Sequence, residues 1–179
     1  MFILKALWFF LPGGLANMAP VIFKKINFLN YPVDFGKQIN GKSILGSHKT
    51  FRGYFFGILL ASIVAWVQKL LFIKFDAIKD ITILPYNELN PWLIGFLMGF
   101  GALFGDSAKS FLKRQLGVKP GDKFIPWDQI DFIIGFLLFI SFVYVPSASI
   151  VLSIILIVPL LHIMTNYLGY YLKIQDSPW

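Results

Sequence analysis

The sequence predicts an all-α polytopic membrane protein with five transmembrane helices and two polar cytoplasmic segments that together form a candidate site. Three observations predict it: 57% of the 179 residues are hydrophobic, only 14% are charged, and the mean hydropathy is +0.71. A soluble domain of this length could not hide so much apolar surface, so most of it must face lipid. The length suits one domain covering residues 1–179.

We expect the spans at about residues 2–23, 53–75, 91–112, 129–145 and 148–172. The first lacks a convincing small-residue cleavage site, so we expect a retained span rather than a signal peptide. It contains Pro12 and Pro20. Helix breakers are tolerated in a membrane where protein or a water-filled cavity satisfies the freed backbone groups. This segment is therefore either a kinked cavity wall or a bent structural helix.

The third segment is apolar only from Pro91 to about Phe104. That stretch rises roughly 20 Å as a helix, short of the roughly 30 Å hydrocarbon thickness. Either this helix is not a full span, or its polar continuation lies inside the protein at membrane depth. The second option places Asp106 in a water-filled cavity. On the fifth segment, His162, Thr165 and Asn166 share a helical face, which favours either helix–helix hydrogen bonds or a cavity wall.

The distribution of basic residues predicts the orientation. The segments 24–52 and 106–128 are rich in Lys and Arg, whereas 76–91 and 146–147 are not. By the positive-inside rule the N-terminus is outside, and the C-terminus and both basic segments are cytoplasmic. The net charge of +7 thus indicates topology and anionic ligands rather than nucleic acid. The absence of cysteine excludes disulfides, a thiolate nucleophile and a cysteine zinc site.

The stretch from Asn40 to Gly53 mixes glycines, hydroxyls and cations just before an apolar helix. Glycine backbone N–H groups and a helix N-terminus can both bind an anion, so this stretch is a candidate phosphate site. An ordinary positive-inside loop is the alternative. The string from Gly36 to Ser43 fits the Walker A spacing, but no buried strand precedes it, which argues against a P-loop. The candidate ligands are Lys42, Ser47, His48, Lys49, Thr50 and Arg52.

The second polar segment gathers acids and cations on two helix ends. On a continuous helix, one side carries Asp106, Lys109, Ser110, Lys113 and Arg114. Asp128 and Asp131 are three apart at the start of the next helix. Three converging carboxylates would suit Mg²⁺, which takes hard oxygen ligands. Alternatively, Asp106 pairs with a lysine and the two later acids favour a helix start.

These residue types permit a limited range of chemistry. No serine–histidine–acid arrangement and no HExxH motif can be found. Nucleotidyl transfer to a phosphate needs no such group, because a phosphate monoester is largely ionised at pH 7 and is its own nucleophile. Positioning, metal ions and neutralisation by Lys and Arg suffice. A small transporter or channel for anions would have the same basic cavity, but would not depend on a nucleotide or Mg²⁺. The DGxxAR motif of the CDP-alcohol phosphotransferases is absent.

The motif residues resemble a known signature. They are Gly105-Asp106, Ser110, Lys113-Arg114, Lys119, Asp122, Pro126, Asp128 and Asp131, with GKSILGSHKTFRG upstream. The pattern resembles that of the CDP-diacylglycerol synthase family of membrane cytidylyltransferases, most closely its archaeal branch. The sequence departs from the bacterial pattern in lacking an HGG element and in having Lys109 where that pattern has an acid.

The resemblance implies transfer of CMP from CTP to 2,3-di-O-geranylgeranylglycerol phosphate at the cell membrane, with pyrophosphate released. The implied partners are therefore CTP, an isoprenoid ether lipid phosphate and the lipid bilayer, with Mg²⁺ as cofactor. Asp106, Asp128 and Asp131 would hold the metal and, with Lys113, form the catalytic set. The implied CTP- and phosphate-binding residues are Lys42, Ser47, His48, Lys49, Thr50, Arg52, Ser110, Lys113, Arg114 and Lys123.

Overall fold

The computed structural model describes residues 1–119 and 122–174 and confirms that the chain is mostly helical. The described elements are α1 (Phe2–Ile22), β1 (Gln38–Ile39), β2 (Lys42–Ser43), α2 (Phe51–Lys74), α3 (Asp76–Ile81), α4 (Pro91–Gln115), α5 (Trp127–Ile140) and α6 (Ala148–Tyr171). Each of the five predicted spans overlaps one helix, namely α1, α2, α4, α5 or α6. Among the described residues, α1, α2 and α6 are long and apolar enough to cross a membrane.

One helix ends well before its predicted boundary, one runs past it, and one was not predicted. α5 ends at Ile140 instead of residue 145, because the chain turns there and the N–H groups of Val143 and Tyr144 both donate to the Ile140 carbonyl. The short helix α3 was not predicted. α4 runs unbroken from its apolar half through the charged residues to Gln115, so the polar continuation of the third segment is helical.

The prediction of an all-α fold missed a two-stranded antiparallel hairpin in the segment between α1 and α2. In it, Gln38 pairs with Ser43 and Ile39 with Lys42. The turn residues Asn40 and Gly41 have φ values of 52° and 76°, as a type I′ turn requires, and Asn-Gly is its preferred sequence. Gly41 of the Walker-like string thus lies in a hairpin turn and Lys42 in strand β2, which rules out a P-loop.

α4 is the central helix, and glycines on two of its faces allow close packing. On one face, Gly99 lies against α2, where an added Cβ would come within 2.8 Å of the Ala61 side chain. On the other face, a Cβ on Gly105 would overlap the carbonyl oxygen of Asp131 in α5. Gly135 of α5 packs against α4 equally tightly. Small residues at a helix–helix contact let the two backbones approach closely, as in membrane helix pairs.

A buried polar network closes the end of the bundle where α1 begins. The Gln68 amide donates to the Trp8 carbonyl at 2.6 Å and accepts from the Tyr86 hydroxyl at 2.8 Å. Trp8 in turn donates its indole N–H to Thr82 at 3.0 Å. Tyr86 is only 1% exposed. These bonds tie the loop before α4 to α1 and α2. A polar cavity, described below, lies at the opposite end of the bundle.

Candidate active site

A cavity of about 850 Å³ lies at the end of the bundle where α1, α4 and α6 finish and α2 and α5 begin. Its walls therefore come from five helices and from the segment between α1 and α2. The charged side chains in the wall are Lys24, Lys49, Arg52, Asp106, Lys109, Asp128 and Asp131. The apolar part comes mainly from the last turns of α1 and α6.

The three predicted acids meet at one point, and a lysine ammonium occupies that point. Lys109 Nζ lies 3.2 Å from Asp106 Oδ1, 3.1 Å from Asp128 Oδ1 and 2.8 Å from Asp131 Oδ2. Because each oxygen is this close to the same nitrogen, any two are at most about 6 Å apart. The structure thus brings together carboxylates from two helices; their role as metal ligands stays a prediction.

Two further lysines complete the cluster. Lys49 forms an ion pair with the second oxygen of Asp106. Lys113 is buried and donates to the Asp122 carbonyl at 2.6 Å and to Asp128 Oδ1 at 3.2 Å. Three carboxylates therefore face three ammonium groups, so the cluster has no formal net charge.

The oxygen atoms of this cluster fit a hard divalent cation. Both oxygens of Asp131 are buried, and Oδ1 has no hydrogen-bond partner among the described residues, while Oδ2 contacts Lys109. Carboxylate oxygens are the ligands that Mg²⁺ prefers. Over residues 1–119 and 122–174 no three acidic or histidine side chains form a ready-made metal site, since the Lys109 ammonium stands at their centre. A divalent ion bound to all three acids would therefore replace some of these lysine contacts.

Asp34 organises the segment that covers the cavity. This residue is 8% exposed. Its carboxylate accepts from the backbone N–H of Gly36 at 3.0 Å, Leu45 at 2.8 Å and Gly46 at 3.1 Å. Burial raises the pKa of Asp34, but these hydrogen bonds outweigh it and hold the pKa below its ordinary value. One carboxylate thus fixes both ends of the 34–46 stretch, just before the residues that face the cavity.

The backbone N–H groups expected to bind an anion are already bonded within the protein. At the start of α2, Phe51 donates to the Tyr31 carbonyl at 3.0 Å and Arg52 to the Leu29 carbonyl at 2.8 Å. Gly53 donates to Thr50 Oγ1 at 3.2 Å, so Thr50 is the helix cap. An anion in this segment would therefore be bound by side chains rather than by the N-terminus of α2.

The structure separates the predicted phosphate-binding residues into two groups. Those in the cavity wall are Ser47, His48, Lys49, Thr50 and Arg52. The others lie outside the described wall: Lys42 donates to the Gln115 carbonyl at 2.6 Å, Ser110 to the Asp106 carbonyl at 2.9 Å and Arg114 to the Val118 carbonyl at 2.7 Å. Lys113 belongs to the carboxylate cluster, and Lys123 is exposed between α4 and α5.

Sequence reasoning did not select Lys109 as a site residue. The sequence did contain a signal for Lys109. It lies three residues after Asp106, and on a helix this spacing favours an ion pair. It also did not select Tyr54, whose hydroxyl donates to Ser107 at 2.7 Å in the cavity wall. On α6, the cavity-wall interpretation holds, because His162, Thr165 and Asn166 all line the cavity.

Replacing Asp34 with Asn should raise the KM for the anionic substrate by roughly tenfold while changing kcat little. The three N–H groups donate to both carboxylate oxygens. An amide has one acceptor oxygen, so its NH₂ group would face at least one of these donors, at a cost of about 1.5 kcal/mol or more. The depressed pKa means that the carboxylate contributes its full stability at neutral pH and loses it as the pH falls below about 4. Hydrogen exchange of residues 34–46 should show that pH dependence in the wild type and lose it in D34N.

Asp80→Asn is the matched control, because Asp80 is an exposed acid on α3 at the other end of the molecule. It should leave KM and exchange rates unchanged. Equal KM values for D34N and D80N would contradict the positioning role of Asp34.

The comparisons with known proteins agree with one another, and each covers nearly the whole chain. A family model described as "CarS-like: CDP-archaeol synthase" matches residues 1–179. A CDP-archaeol synthase of Archaeoglobus fulgidus is 36% identical over 99% of this chain and 98% of the relative. One from Methanococcus maripaludis is 35% identical over 98% and 96%. A solved structure described as an intramembrane enzyme for archaeal membrane lipids biosynthesis superposes with a TM-score of 0.72 at 29% identity, covering 92% of this chain and 94% of that one.

Proposed function

The chain belongs to the CDP-archaeol synthase family and is a CTP-using nucleotidyltransferase of the membrane, and on that premise we propose its substrates and the roles of its residues. It transfers CMP from CTP to the phosphate of 2,3-di-O-geranylgeranylglycerol phosphate. A lipid phosphate oxygen forms a bond to the α-phosphorus of CTP, the bond from that phosphorus to the bridging oxygen breaks, and pyrophosphate leaves. The observation that carries this proposal is the convergence of three acids and three lysines at a cavity between helix ends.

The side chains of the cavity would bind and neutralise the triphosphate. Lys49 and Arg52 face the cavity from the segment before α2, with Ser47 and His48 beside them. The predicted residues outside the described cavity wall would either support the wall or contact CTP when it binds. They are Lys42, Ser110, Lys113, Arg114 and Lys123. No general base is needed, because the lipid phosphate is already ionised at neutral pH. The protein contributes by aligning the two phosphates and compensating charge as pyrophosphate departs.

We propose that Asp106, Asp128 and Asp131 hold Mg²⁺. Their carboxylates converge from two helices, and Asp131 Oδ1 is buried without a hydrogen-bond partner among the described residues. When bound there with CTP, Mg²⁺ supplies positive charge at the triphosphate oxygens.

The isoprenoid chains would enter between α1 and α6. Met18 and Ile22 of α1, Leu168 of α6 and Leu172 just after it line the apolar part of the cavity and are exposed. An opening with apolar rims on both sides suits a lipid whose phosphate points inward and whose chains stay in the bilayer. The lipid therefore reaches the acids without leaving the membrane.

The experiment that tests the reaction is CMP transfer from labelled CTP by purified protein with the lipid phosphate and Mg²⁺. We expect a labelled lipid product and release of pyrophosphate, with no product when EDTA replaces Mg²⁺. Anion flux through proteoliposomes without CTP, and no labelled lipid, would instead indicate the transporter considered from the sequence. Full activity with EDTA would contradict the metal proposal alone.

We propose five spans, with α4 and α5 crossing as a tightly packed pair and the cavity facing the cytoplasm. The alternating Lys and Arg content of the segments supports this orientation. Because the chain has no cysteine, single-cysteine variants report topology cleanly. In right-side-out vesicles, an impermeant maleimide should label Asp80→Cys and leave Lys25→Cys unlabelled; the reverse pattern would contradict the orientation.

A further inference from the structure

The packed face between α1 and α6 turns polar where the two helices reach the cavity. On α6, Val158 is buried, and the next positions on that face, at steps of four, are His162 and Asn166. On α1, Phe10 is buried, and Asn17 lies about two turns further along the same face. The side chains of Asn17, His162 and Asn166 all line the cavity, and together they form a polar patch on its wall. Polar groups inside membrane helices are costly, so such a patch indicates a ligand.

Phe132 places the polar patch beside the cluster of acids and lysines. Between ring centroids, Phe132 lies 4.9 Å from His162 of α6 and 5.8 Å from Phe10 of α1. It therefore connects the two helices at the cavity, which it also lines. Asp131 directly precedes Phe132 in α5 and carries one of the three carboxylates. A phosphate bound at the cluster thus lies next to the polar patch.

Asn17 brings unused hydrogen-bond donors to the polar patch. Asn166 Nδ2 and His162 Nε2 lie 3.2 Å apart, so these two side chains are bonded to each other. The half-buried side chain of Asn17 has no such partner among the described residues. Its amide offers two N–H donors. An apolar chain bound over them would leave both unbonded, which is costly, so the patch suits a polar part of a ligand.

The position of the polar patch assigns it to the lipid rather than to the nucleotide. α6 packs against α1 and α5, whereas α2, which carries the proposed triphosphate ligand Arg52, packs against α1 and α4. The patch and Arg52 therefore lie on different sides of the cavity. The apolar opening begins beside the patch, since Met18 follows Asn17 and Leu168 comes soon after Asn166. A lipid with its phosphate at the acids and its chains in this opening places its glycerol at the patch.

We propose that the polar patch binds the ether-linked glycerol of the lipid phosphate, with the Asn17 amide donating a hydrogen bond to an ether oxygen. This rests on the proposed function, because it takes the glycerol diether phosphate as the substrate. An ether oxygen accepts hydrogen bonds and donates none, so it matches the N–H groups of Asn17. Asn17 is therefore a specificity-determining residue, which distinguishes a glycerol ether from an apolar segment of the same length.

The test removes each partner of this hydrogen bond separately and then both together. The two lipids are the diether phosphate and an analogue in which methylene groups replace both ether oxygens. CMP transfer from labelled CTP is measured for the purified wild type and for Asn17→Leu. With the wild type, the analogue should lower kcat/KM for the lipid about tenfold, as expected for one hydrogen bond. Asn17→Leu should lose about tenfold with the diether, use the two lipids equally, and keep its KM for CTP.

Asn87→Leu is the matched control, because Asn87 is an exposed asparagine in the loop before α4, at the other end of the bundle. It should prefer the diether as strongly as the wild type does.

Three results would overturn the inference: a wild type that uses both lipids equally, an Asn17→Leu variant that keeps the tenfold preference, or a raised KM for CTP in that variant. Complete loss of activity in folded Asn17→Leu would also contradict it, because one hydrogen bond accounts for only about tenfold. If Asn17→Leu does not fold, the same rates with Asn17→Ala decide. No labelled lipid from the wild type with the diether would contradict the proposed function itself.

Discussion

Asp131→Asn is expected to lower CMP transfer by about 10³-fold while leaving the protein folded. The side chain of Asp131 is 4% exposed and lies 2.8 Å from Lys109. The amide keeps the size of the side chain but removes its charge. It therefore weakens both the proposed metal position and the hold on Lys109, and loss of one aligned electrostatic contact alone costs roughly 10² to 10³ in rate. Initial rates with labelled CTP and the lipid phosphate measure the effect.

Asp76→Asn provides the comparison for this variant. Asp76 also pairs with a lysine, at 2.7 Å from Lys79, but its side chain is 95% exposed. An exposed ion pair contributes little, so D76N should transfer CMP at the wild-type rate. D131N with more than a tenth of wild-type activity would remove Asp131 from the catalytic set.

Gly105→Ala is expected to reduce activity by about 100-fold and to lower the unfolding temperature. The added methyl group would overlap the carbonyl oxygen of Asp131, so α4 and α5 must move apart. Overpacking of this kind costs about 1–3 kcal/mol. Gly105 directly precedes Asp106, so the same movement separates Asp106 from Asp131, and a displacement near 1 Å costs roughly 10²-fold in rate. Thermal unfolding in nanodiscs and CMP transfer measure the two effects.

Gly14→Ala tests whether any glycine substitution in a helix has this consequence. A Cβ at Gly14 would come no closer than 3.2 Å to the Phe10 ring on the same helix, α1. A helix otherwise gains stability when alanine replaces glycine. G14A should therefore behave like the wild type or be slightly more stable. If G105A matched G14A in activity, the spacing of α4 and α5 would not control the site.

The helices were predictable because the apolar stretches are long and clearly separated. The resemblance to the archaeal branch of the cytidylyltransferase family is likewise confirmed. The end of α5 was misplaced, since Phe142 and Val143 continue the apolar stretch although the backbone turns at Ile140. The hairpin had a readable signal in Asn40-Gly41, but its strands are only two residues long and carry no alternating apolar pattern.

The meeting of the acids could be predicted, but the atom at their centre could not. Helical spacing shows that Asp106 and Lys109 share a face. It does not show that α5 approaches α4 closely enough for Asp128 and Asp131 to reach the same nitrogen. That approach depends on the contact between Gly105 and the Asp131 backbone, which is tertiary. The role of Asp34 was hidden for the same reason, because its three partners are backbone groups brought near by the turns of the segment.

The clamp formed by Asp34 separates the hairpin from the cavity wall. Its carboxylate joins Gly36 on one side of the hairpin to Leu45 and Gly46 on the other, and the turn Asn40-Gly41 is not part of the cavity wall. The exposed tip is therefore a natural attachment point for a fluorophore or an epitope tag, through which an active enzyme can be followed in a native membrane.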